Sequence, residues 1–113
     1  MTSEDLQQRT KKFSLDIIKL FKSLPSTAEA QVLGKQLLRC STSAAANYRA
    51  ARRARSKAEF IAKLCIVVEE SDEAVLWLEL IGESGISHID QGLLQEAREI
   101  LYIMSASRKT AKE

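Results

Sequence analysis

Arg39, Ser43 and Asn47 recur every four residues in the stretch RCSTSAAANYRAARRARSKAEF, residues 39–60, which ends in the densest run of positive charge in the chain. On a helix that spacing lines three polar side chains along one face. Such a stripe can build a ligand pocket, or it can fix the register of packed helices as buried polar residues do in coiled coils, and the second is the reading preferred here. The cluster that follows, Arg49, Arg52, Arg53, Arg55 and Lys57, has the chemistry of non-specific contacts to nucleic-acid phosphates.

Catalysis finds little footing. Glu69, Glu73 and Glu79 suggest a carboxylate metal site, but a di-metal centre in a helical bundle needs Glu-x-x-His motifs, and the single histidine, His88, falls in an expected turn. Ser43 has no histidine base in register, and neither Cys40 nor Cys65 has one nearby in sequence. No phosphate-binding glycine motif is present. The expectation is a protein that is not an enzyme and uses no cofactor or metal.

The elements that must position these residues are long helices. One Pro, four Gly and 5% aromatic residues in 113 make a helix-rich, turn-poor chain of a size for one domain, residues 1–113. Leu6, Phe13, Ile17, Leu20 and Leu24 form a heptad-like seam on a first helix, 3–24, which stops before Pro25. Ser26 with Glu29, and Ser56 with Glu59, read as capping boxes that open helices 27–54 and 57–83. Their seams are Leu33, Leu37, Cys40, Ala44, Asn47, Ala51 and Phe60, Leu64, Val67, Ser71, Ala74, Leu78, Ile81. Gly82 and Gly85 end the third helix, and a fourth runs over 90–109 with Thr110 to Glu113 fraying. Short connections between such helices predict an all-α fold, an antiparallel up-down-up-down four-helix bundle.

With the turn centred near Arg55, Cys40 lies opposite about residue 70. Cys65 is then about 7–8 Å away along the axis at ~1.5 Å per residue, too far for a disulfide. The same register sets Arg39 against Glu70, Ser71 and Asp72. It predicts that a carboxylate holds Arg39 and that Asn47 closes hydrogen bonds across the helix interface. From Ala74 to Ile81 Glu79 is the one polar residue, more apolar surface than one core can cover. Val75, Leu76, Trp77 and Leu80 therefore point to a second packing surface in a homo-oligomer. Trp77 belongs to core or interface, since it lies about 30 Å along its helix from the basic turn. No apolar run approaches the ~20 residues of a membrane span, and the polar start MTSEDLQQRTKK offers no signal-peptide core, so a cytoplasmic location is expected.

The run LLRCSTSAAANYRAARRARSKAEFIAKL, with EESDEAVLWLELI after it, resembles the small bacterial four-helix-bundle proteins encoded in intervening sequences of large-subunit ribosomal RNA genes. A related member is the accessory variability determinant of diversity-generating retroelements. The residues that carry the resemblance are Arg39, Ser43, Asn47, Tyr48, Arg53, Ser56, Glu59 and Phe60, then Ser71, Asp72, Glu73, Trp77, Leu78 and Glu79. The resemblance implies a ring, a pentamer, without established enzymatic activity. For the retroelement relative it also implies a basic surface that contacts nucleic acid and a reverse transcriptase. The chain departs from the pattern at Ala50, where many members carry an acidic residue, so no role of that carboxylate transfers.

The net charge of +2 hides a segregation. Residues 35–63 hold eight positive side chains against Glu59 alone, a net of +7, and residues 66–99 hold nine acidic ones against Arg98, a net of −8. Two functions follow: RNA or DNA binding at the turn, or a structural or adaptor protein whose opposite charges pair with each other within and between subunits.

Overall fold

Each helix begins where a side chain can take up a free backbone N–H. The computed structural model describes residues 1–113 and contains four helices: α1 (Ser3–Ser23), α2 (Ala28–Ala51), α3 (Lys57–Glu83) and α4 (Gln91–Lys112). Thr2 and Asp5 cap α1 reciprocally, Asp5 N–H donating to Thr2 Oγ1 at 3.1 Å and Thr2 N–H to Asp5 Oδ2 at 2.8 Å. The hydroxyl of Thr27, not Ser26, accepts from Ala30 N–H at the start of α2, so the expected Ser26–Glu29 box does not form. Ser56 caps α3 as expected, but Glu59 reaches past it to Arg55 N–H. Asp90 caps α4, accepting from Leu93 N–H at 3.1 Å. Contrary to the fraying expected after Lys109, α4 stays helical through Lys112, because Ala111 packs against the core and holds the last turn down.

The fold is an all-α four-helix bundle. Each helix packs on its neighbours in sequence and α1 closes against α4, while the backbones of the diagonal pairs stay apart, in a body 44 × 22 × 20 Å. Ile17, Leu37, Leu64, Leu78, Ile81 and Met104 are its largest fully buried side chains. On α2 the core position assigned to Asn47 belongs to Tyr48, 4% exposed. Asn47 is one step, about 100°, around the helix and half-buried.

The middle layer is small and hydroxyl-rich, with Ser14 Oγ donating to the carbonyl of Ser41 at 2.9 Å between α1 and α2. The interior space left there, beside Thr10, Ser41 and Ser71, is about 10 Å³, the room of roughly one water. No organic ligand fits in that space. No helix is long and apolar enough to cross a membrane.

Candidate nucleic-acid interface

The α2–α3 connection is tight. Arg53 N–H donates to Ala50 O and Ala54 N–H to Ala51 O, each at 3.0 Å, so α2 tapers through a helical turn before Ser56 restarts the chain as α3. This presents Arg49, Arg53, Arg55 and Lys57 to solvent, and none of the four takes part in a salt bridge. Arg52 behaves differently. Its Nη1 donates to Glu4 Oε2 at 2.7 Å and Gln7 Oε1 at 2.6 Å, clamping the end of α2 to the start of α1. The expectation of five equivalent phosphate-facing cations is thus corrected to four plus one already engaged by a carboxylate. The Gln8 amide and then Arg52 hold the Glu4 carboxyl below its ordinary range.

Three further cations arrive from a part of the chain that the sequence pattern does not connect to the turn. Because α4 runs antiparallel to α3, its last turns lie along the first turn of α3, where Phe60 lines one groove with Tyr102, Ile103 and Ala106. Arg108, Lys109 and Lys112 therefore join the same end of the bundle, again without ion pairs. Their signal is the run RKTAK, legible only once the up-down path is followed to its end.

The polar stripe on α2 meets α3 in the expected register. Arg39 Nη1 donates to Glu70 Oε2 at 2.8 Å, and Nη2 donates to Glu73 Oε1 at 3.1 Å and to Cys40 Sγ at 3.2 Å. Asp72 is corrected out of this network. It lies two residues, about 200°, from Glu70 and is exposed on the far face, and Glu73 takes the place assigned to it. Asn47 is corrected as well: its Nδ2 donates to Ser43 O at 2.9 Å and Ser43 Oγ at 3.2 Å within α2, not across the interface. The Ser43 hydroxyl is so engaged and faces no base.

The sulfur of Cys40 and carboxylate oxygens of Glu70 and Glu73 lie within 4.8 Å of one another, a spacing metals use. The Arg39 guanidinium already fills the position between them. Burial pushes the Cys40 thiol up to about 11, so at neutral pH it is protonated. Both cysteines are free, Cys40 buried and Cys65 half-buried.

Along the outside of α3, Leu76 and Leu80 are 46% and 41% exposed, and Ile66, 38% exposed, extends the same stripe. Spacings of four and three from Ile66 through Glu69, Glu73 and Leu76 to Leu80 give this outer face a heptad pattern of its own. Val75 and Trp77, expected on this surface, are half-buried and pack against the core beside Ala74 and Leu78.

The model of the 23S rRNA-intervening sequence protein family matches residues 3–107. The chain belongs to that family. As a 23S rRNA-intervening sequence family member it is similar to a protein of unknown function from the S23 ribosomal protein family of Bacteroides thetaiotaomicron VPI-5482, whose crystal structure was determined at 1.70 Å. The two are 31% identical over 96% of this chain and 99% of that one, with a TM-score of 0.83. No curated protein matches the chain. The family and the bundle both agree with the expectation raised by the stretch around Arg39–Phe60.

Proposed function

We propose that this family member is a non-enzymatic, cytoplasmic homo-oligomer that binds nucleic acid non-specifically through the basic end of its bundle. The observation that carries the reading is the unpaired state of Arg49, Arg53, Arg55 and Lys57, to which Arg108, Lys109 and Lys112 are added from α4. Were the segregated charges there to neutralise each other within the chain, these cations would be the first consumed, and only Arg52 is. If all seven meet phosphates, log K falls against log salt with a slope of about −5 to −6, at roughly −0.7 to −0.9 per contact. Filter binding to RNA and DNA across a salt series tests this: the triple variant Arg53→Ala, Arg55→Ala, Lys57→Ala should flatten the slope by about 2 to 3. Binding that ignores salt, or that the triple variant leaves intact, counts against it.

A second reading, a structural or adaptor protein, is favoured by the outer face of α3, where Leu76 and Leu80 expose an apolar patch and Ile66 lies beyond Glu69 and Glu73 on the same stripe. The two readings join if that stripe assembles copies, because each copy then repeats the basic end and multiplies avidity. Light scattering should give a mass several times 12.6 kDa for the native chain and fall towards one protomer for Leu76→Glu, Leu80→Glu. A native protein that runs as a monomer removes the assembly reading and the avidity argument together.

A further inference from the structure

Tyr102 is the most exposed of the large apolar side chains, at 77%, and its ring stands in an open groove between the first turn of α3 and the last turns of α4. Neither core packing nor a hydrogen bond explains it there. Its own stripe on α4 continues through Ala106 to Lys109, at spacings of four and three, and Phe60 on the opposite wall follows Lys57 by three. The groove thus holds two aromatic rings, and Lys57 and Lys109, neither in a salt bridge, lie within one helical turn of Phe60 and Ala106 on its two walls. From Ile100 to Lys112 α4 holds three positive side chains and no acidic one.

We propose that this groove binds single-stranded RNA, with a base stacked on Tyr102 and the adjoining phosphates on Lys57 and Lys109. The inference rests on the nucleic-acid reading above and specifies which form of nucleic acid is bound. Two observations select the occupant. A duplex keeps its bases stacked on each other, whereas an exposed ring beside a basic rim offers a platform to an unpaired base. Ser107 and Thr110 bring hydroxyls into the groove, and a ribose 2′-OH, which both donates and accepts, adds a contact with them that deoxyribose lacks.

The test is fluorescence anisotropy of the full-length protein with a labelled, unstructured RNA of about 12 nucleotides, within the range of single-strand site sizes. The DNA strand of the same sequence and the RNA duplex are run beside it, each across a salt series. Tyr102→Ala should weaken single-stranded RNA binding by about 5- to 150-fold per stacked base and leave the salt slope unchanged, since no charge is removed. Tyr102→Phe, which keeps the ring, should bind like the native chain, and Lys57→Ala, Lys109→Ala should flatten the slope by about 2. Salt-dependent binding that Tyr102→Ala leaves unchanged overturns the stacking site while the basic-end reading stands. Preference for the duplex, or equal affinity for the DNA strand, overturns the assignment to single-stranded RNA. A native protein that binds no nucleic acid overturns both readings.

Discussion

Replacing Arg39 with methionine isolates what the α2–α3 polar cluster contributes. Methionine keeps most of the aliphatic stem, so the change removes charge and hydrogen bonds more than packing. Glu70, whose side chain is 11% exposed, loses its bond to Nη1 at 2.8 Å and is left as a carboxylate largely cut off from water. Breaking a fully buried pair costs about 3–5 kcal/mol and an exposed one about 0–1. Here the guanidinium is 52% exposed and Glu73 is 41% exposed, so water can partly replace the lost partner. The expected loss is therefore about 1.5–2.5 kcal/mol, or roughly 6–10 °C in melting temperature for a chain of this size.

Urea unfolding followed by circular dichroism, at fixed protein concentration because assembly would shift the midpoint, measures the loss directly. The double variant Arg39→Met, Glu70→Met should return to within about 1 kcal/mol of the native chain, because an apolar pair removes the stranded charge. Asp72→Asn should stay within about 0.5 kcal/mol, as befits an exposed residue outside the cluster. An Arg39→Met variant as stable as the native chain, or a double-mutant cycle with no coupling between Arg39 and Glu70, would refute the claim that this pair holds the two helices in register.

Burial raises the Cys40 thiol from its ordinary 9.0 to about 11, so the unfolded chain releases that proton first. The associated stability is complete below pH 9.0 and is lost as pH rises through about 11; Cys40→Ala should flatten the urea midpoint over that window, and an unchanged slope would contradict the buried thiol. The buried Tyr48 phenol is raised in the same direction, so Tyr48→Phe is measured beside it. Gly85 has φ +79° and open space where a methyl group would project, so Gly85→Ala meets backbone strain alone. A loss of about 1–2 kcal/mol in thermal unfolding is expected, and no loss would argue that the turn relaxes freely. Arg52→Ala should speed hydrogen exchange over the first turns of α1, where Glu4 and Gln7 lose their partner, without affecting α3. Unaltered protection at Leu6 to Arg9 would show that the clamp is idle.

The amino-acid order by itself determined the helices and their register. A cap at Ser56, a stop before Pro25 and apolar residues spaced by threes and fours are decided within one or two helical turns, so α3 begins and ends where the pattern says, Lys57–Glu83. A turn near Arg55 then left Arg39 opposite Glu70 by counting alone. Tertiary structure decided which neighbour in each pair faces inward. Tyr48 against Asn47, and Glu73 against Asp72, differ by about 100° of rotation, and that angle is set by how three other helices press on the one in question. It also decided which cations are spent. Arg52 finds Glu4 across 48 residues, while Arg108, Lys109 and Lys112 come to the turn only because α4 packs antiparallel to α3. Local patterns stabilise an element within a few residues, but the surface it shows depends on contacts between segments far apart in the chain, and those exist only once the bundle has closed.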